Sequence, residues 1–439
     1  MRDILLTMIV IGALPAMVYL PFVGLLFWMW LGFMNPHRLT WGFAFDFPFV
    51  QAAAIATVLG LIVSKEPRRF PWNPVTLIWA VLILWTTVTT IFALSPDTAW
   101  PAWWQFMKIQ AMVTVMLLLL DSRHRLWLAT LVIAGSICFY GVKGGIFTLL
   151  TGGQHMVLGP RRSFIGGNTE VAFAIVIALP LLWWVRTQLT QRWLRVAIAV
   201  AFALSVIAVL GSYSRGAVLA VSAMLGFLWL RSSGKLLTGA VGAVALLIGL
   251  SLMPEKWFDR MGTIGGELDR SEQGRINAWW FAFRLANDRP LIGGGFRAFS
   301  PEHFQRYAPD PEFFRDAHSI FFEVLGEHGY MGLVLFVLLG VSAVLYAWRS
   351  ERLARHDPNL DWARGLLRMS QVALVGYVVG GLFLGLAYFD LPYAIMALIV
   401  ATGVVVRRDA RVRNPVAEAA PEPIRHDLAG SGAAGSHAT

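Results

Sequence analysis

One cysteine in 439 residues excludes an intrachain disulfide framework, and Cys138 lies inside an apolar run where it reads as a small buried hydrophobe. Metal-ligand patterns are missing as well. There is no Asp-x-Asp pair, no His-x-x-His and no cysteine cluster, so the acidic residues read as a solvated face and neither a metal ion nor another cofactor is expected. No serine stands in a Gly-x-Ser-x-Gly elbow, which leaves a nucleophilic triad without support. Charge itself is scarce: 14% of residues, against 57% hydrophobic and a mean hydropathy of +0.62. A soluble globular domain is more polar than this, and the apolar runs are each near the ~20 residues a helix needs to cross hydrocarbon. The fold class is an all-α polytopic membrane protein.

Twelve runs are expected if the first crosses once: 4–34, 44–64, 74–94, 103–120, 126–150, 168–186, 192–211, 215–231, 234–253, 329–349, 366–388 and 390–406. They divide the chain into residues 1–253 with nine helices, a large helical insert at 254–328, three more helices at 329–406 and a disordered tail at 407–439. Lys65, Arg68 and Arg69, then Arg123 and Arg125, Arg186, Arg192 and Arg195, Arg231 and Lys235, Arg349 to Arg364, and Arg407 and Arg408 fall in alternate loops. The positive-inside rule makes those loops cytoplasmic and the insert external. The first run is the difficult one, because Pro15 and Pro21 permit either a broken helix or a hairpin. A single crossing puts Met1 to Asp3 inside, and a hairpin would put them outside. A cleaved signal peptide is not expected from so long and proline-interrupted a run.

A formal charge of +10 invites a nucleic-acid reading. The insert, however, carries nine Lys/Arg against twelve Asp/Glu. The positive excess sits on the cytoplasmic loops, where it faces membrane lipid, and no nucleic-acid partner is implied. Within the insert, Ser271 can cap a helix in which Ile276, Trp279, Trp280 and Phe283 recur at helical spacing, ended by Asn287-Asp288-Arg289-Pro290. That helix is expected in the membrane surface. Gly293-Gly294-Gly295 allows backbone to come close to a ligand or another helix.

Three arginines defy the charge pattern. Arg161-Arg162 follows Gly159-Pro160, and Arg215 opens a span, all at the external edge where an ionisable group is expensive and either functional or snorkelling to headgroups. An anionic lipid-linked substrate explains all three, since the guanidinium fork binds a diphosphate bidentately. Lys108 and Lys143 read as snorkelling. Arg275 either joins the arginines or pairs with Glu272 or Asp269. His318, at a helix start on the membrane edge, reads as a general base or as a hydrogen-bonded interfacial histidine. Glu323 lies five residues on, roughly 140° around a helix.

Three motifs resemble the bacterial O-antigen ligases and polymerases: Ser214-Arg215-Gly216-Ala217; Gly274-Arg275 through Trp279 with Arg289-Pro290-Leu291-Ile292-Gly293-Gly294-Gly295; and His318-Ser319 through Glu323, Glu327, Gly329 and Gly332. Tyr140-Gly141-Val142-Lys143-Gly144-Gly145 through Gly159-Pro160 and Asn168 is similar to an exosortase-associated subgroup of O-glycosylation ligases. The resemblance implies a GT-C-like glycosyltransferase in the bacterial inner membrane. It would move a glycan from undecaprenyl diphosphate to an acceptor hydroxyl at the periplasmic face, metal-independently and with inversion. The lipid A-core sugar is the expected acceptor, a protein Ser/Thr or another lipid-linked repeat the alternative. It implies His318 as base, Arg215, Arg161, Arg162, Arg275 and Arg289 on the diphosphate, and Glu323, Asp390 and Trp279 in support of the acceptor. A lipid-linked glycan flippase would also want many spans, but no internal repeat is visible and the polar residues gather at one face.

Overall fold

The computed structural model describes residues 1–66, 68–231, 253–262 and 270–413, with single positions between 235 and 251. Most of the run at 234–253, the Ser271 side chain and the tail from 414 lie outside the described residues. Among the described residues the chain is all helix and loop, without strands. In order come α1 (Arg2–Tyr19), α2 (Pro21–Met34), α3 (Phe49–Val63), α4 (Pro74–Ile91), α5 (Pro96–Leu119), α6 (Arg123–Leu150), α7 (Asn168–Gln188), α8 (Arg192–Gly211) and α9 (Arg215–Arg231). Then follow α10 (Glu255–Gly262), α11 (Arg270–Asp288), α12 (Pro301–Tyr307), α13 (Ile320–Leu353), α14 (Asp361–Gly381) and α15 (Asp390–Arg413). Eight described helices are long and apolar enough to cross a membrane, and three shorter apolar ones accompany them. The chain is a polytopic membrane protein.

Local chemistry explains the helix starts. Proline opens α2, α4, α5 and α12, where its missing N–H costs nothing and its fixed φ suits the first turn. At α4 the Asn73 side chain accepts from the Val75 and Thr76 N–H groups while the Thr76 hydroxyl accepts from the Asn73 N–H, a reciprocal cap. Ser122 and Ser300 cap α6 and α12. The most buried long helices are α7 and α15, which form the middle of the bundle.

The first apolar run is a hairpin, which corrects the single crossing that loop charges imply. Asp3 Oδ1 accepts from the Gly42 N–H at 2.9 Å and the Ala44 N–H at 3.2 Å, so the start of α1 lies beside the loop that follows α2. At the other end, the Arg125 guanidinium sits 5.1 Å over the Phe22 ring and pairs with Glu66 at 3.1 Å. The Leu20–Pro21 tip therefore reaches the arginine-rich face, and α1 and α2 run antiparallel. Glycine lets α3 close on them: a Cβ on Gly60 would stand 2.6 Å from the Val18 carbonyl oxygen. Asp46, in the same loop, meets Arg162 at 3.6 Å, which ties the N-terminus to the face that carries the insert.

Two further boundaries shape that face. α14 stops at Gly381, and residues 382–389 form a loop where a span to 388 was expected. α13 starts at Ile320 and passes through a kink at Gly329, whose φ of 68° and ψ of −171° suit only glycine. The glycine triplet packs into that kink. Gly294 N–H donates to Gly326 O at 2.9 Å, Gly295 N–H to Glu327 O at 2.7 Å, and Tyr330 N–H to Pro290 O at 2.8 Å. The close approach is backbone on backbone, between the insert and the helix that follows it.

Candidate functional site

His318 sits on a turn, not in a helix. Its φ of 42° places a non-glycine residue in the left-handed region, directly before α13. The turn is clamped from two sides. Trp279 of α11 donates its indole N–H to Ala317 O at 2.9 Å and stacks on Phe322, centroids 5.0 Å apart and planes 8° from parallel. On the other side lies Gly385 of the 382–389 loop, where a Cβ would be 3.4 Å from His318 N and 3.5 Å from Glu323 Oε2. That loop is held in turn by the Ala387 N–H, which donates to Glu323 Oε2 at 2.9 Å. His318 and Glu323 thus border one spot. The 140° separation expected of them assumed a continuous helix, and the left-handed turn at His318 removes that assumption.

Burial pushes the His318 pKa below its ordinary value, Arg275 and Arg315 push it the same way, and Asp316 opposes them. The half-buried imidazole is accordingly neutral at neutral pH and able to take a proton.

Arg215 is brought to the same end of α11. Its Nη1 donates to Glu272 Oε1 at 2.8 Å, with the two side chains 18% and 25% exposed. Ser214 Oγ accepts the Ala217 N–H and so caps α9 at Arg215. Gly216 packs on Phe383 of the 382–389 loop. Glu272 and Arg275, three residues apart, share a helix face, so the Arg215–Glu272 pair and Arg275 lie on the same side of α11. Arg275 close to a neutral histidine, with Arg215 held by Glu272 of the same helix, offers cations for an anion and a base for a proton.

The other candidates are placed elsewhere. Arg289 closes the opposite end of α11, about 21 Å along it from Arg275, and its Nη2 donates to Phe92 O at 2.5 Å. It fastens the insert to the α4–α5 loop. Arg161 and Arg162 are exposed on the loop before α7, with Arg162 against Asp46 and Phe45. Their loop still touches the site's border, because Phe164 packs on Phe389 at 6.1 Å. Asp390 is buried in the first turn of α15 close to Gly32, with Oδ1 unbonded. His328 is fully buried, bonded through Nδ1 to Thr89 Oγ1 at 2.6 Å, and belongs to the kink. On α11, Trp280 and Phe283 face outward at 50% and 41% exposure, while Phe281 and Leu285 pack inside the insert. Among the described residues no three His, Cys, Asp or Glu side chains gather as a metal ion would need.

Sequence reasoning missed Gln105, Arg297 and Tyr388, which line a cavity with Glu323 and Glu327. The one visible signal was the four-residue spacing of the two glutamates, which puts both on one helical face. Comparison with known families gives two matches: residues 200–337 match the family described as O-Antigen ligase, and residues 1–190 match a family of unknown function, DUF5935. No curated protein matches the chain.

Proposed function

From the match of residues 200–337 to the O-antigen ligase family, we propose that the chain transfers a glycan from undecaprenyl diphosphate to a lipid A-core sugar. The supporting observation is the junction of three elements: the His318 turn, the Arg215–Glu272 pair and the 382–389 loop. His318 takes the proton of the acceptor hydroxyl. The freed oxygen forms the new bond to the anomeric carbon while the bond to the diphosphate breaks, with inversion and without a metal ion. Charge gathers on the departing diphosphate, where Arg215 and Arg275 meet it as a fork that a point charge would not reproduce. Trp279 and Glu323 position the turn and the loop around His318.

The site faces the periplasm in this reading, because the Lys- and Arg-rich loops lie on the opposite side of the bundle. Deleting the gene tests the acceptor. A ligase predicts loss of the long-chain lipopolysaccharide ladder with lipid-linked glycan accumulating. Loss of glycan from a surface protein would instead make it a protein ligase, and collapse of chain length alone a polymerase.

A further inference from the structure

The short helix at 320–328 divides two environments. Phe322 faces α11, whereas Glu323 and Glu327 look into a cavity of about 200 Å³ that neither Arg215 nor Arg275 lines. Arg297, Gln105 and Tyr388 complete its polar wall among phenylalanine rings. It adjoins a wider cleft of about 770 Å³, with which it shares Ala102, Gln105 and Arg297.

Each glutamate has one oxygen fixed by backbone. Ala387 N–H donates to Glu323 Oε2 at 2.9 Å, and Arg297 N–H to Glu327 Oε1 at 2.7 Å. Glu327 is 4% exposed, and the side-chain partner of its carboxyl is the Tyr388 hydroxyl. Carboxyl and hydroxyl oxygens gathered at one cavity wall keep lone pairs for a ligand that brings hydroxyl donors. Two carboxyl groups against a single guanidinium do not favour a diphosphate, and flat aromatic walls suit the C–H faces of a ring. A polyhydroxylated ring meets all three conditions.

We propose that this cavity is a sugar subsite and that its occupant is the acceptor sugar. The assignment rests on the transfer reading above. Inversion brings the nucleophile from the side opposite the leaving diphosphate, and the cavity lies on another face of the 320–328 helix than the Phe322–Trp279 stack. The His318 turn borders both, through Ala317 O on one side and Gly385 on the other.

The test uses full-length protein in proteoliposomes, with undecaprenyl-diphosphate-linked glycan as donor and lipopolysaccharide lacking its long chain as acceptor. Glu327→Gln keeps an oxygen for the Arg297 N–H, and Gln105→Ala is a second, independent variant. Both should raise the acceptor KM about two- to tenfold, the worth of one ordinary hydrogen bond, and leave the donor KM unchanged. A rise in donor KM instead, or no change in either, overturns the assignment. If the wild type transfers nothing, the functional reading fails separately. Saturation-transfer NMR with delipidated core oligosaccharide then decides the subsite: binding by wild type that is lost in Glu327→Gln supports it, and absence of binding overturns it.

Discussion

At the scale of single residues, His318 combines a left-handed backbone with a depressed pKa, and each property has a consequence. A base works only when deprotonated, so its rate is lost as pH falls through its pKa. Burial, Arg275 and Arg315 lower that pKa, and the acid limb of the pH–rate profile is expected below the ordinary histidine range. Arg275→Gln removes one lowering charge and should move the limb to higher pH. A limb on the alkaline side, or one that does not respond to Arg275→Gln, would argue against His318 as base. Arg215→Ala is expected to abolish transfer, and Arg215→Lys to keep part of the donor binding while losing much of the rate. Normal kcat in a folded Arg215→Ala protein would remove Arg215 from the diphosphate site.

At the scale of elements, the site depends on how the insert grips α13. Gly293, Gly295 and Gly329 all have positive φ, and a Cβ on Gly329 would run into the Leu291 carbonyl oxygen. Gly329→Ala should therefore cost about 1–3 kcal/mol or more from backbone strain alone and lower the thermal midpoint in detergent. Gly340→Ala, later on the same helix with nothing within 4 Å of its Cβ, should leave it unchanged. Equal midpoints for the two would sink this view of the kink. The helices of the insert were legible because α11 has strong periodicity and a proline after its end. The 382–389 loop was not legible, since Phe383, Leu384 and Leu386 continue an apolar run and only tertiary contact with Glu323 and Gly216 turns it into a loop. Arg297 and Gln105 were likewise hidden, one behind three glycines and the other inside an apolar helix, with no pattern that marks a cavity wall.

At the scale of the whole molecule, charge parity alone misplaced the N-terminus. Tyr19-Leu20-Pro21 at the hairpin tip holds no lysine or arginine, so the loop rule has nothing there to count. Cys138 is buried and gives a silent background for labelling with an impermeant maleimide. Cysteines at Arg2 and Glu312 should label from one side of the membrane and a cysteine at Asn359 from the other; agreement of Arg2 with Asn359 would restore the single crossing. The central claim is that this fold brings a neutral histidine and paired arginines to one membrane face for glycan transfer from a lipid diphosphate. Its most direct test is transfer by purified, reconstituted wild type against His318→Asn, since asparagine tolerates the left-handed backbone but supplies no base. The account predicts a folded variant that still binds the lipid-linked donor and transfers about 10²–10⁴-fold more slowly. Transfer within a few-fold of wild type would contradict it.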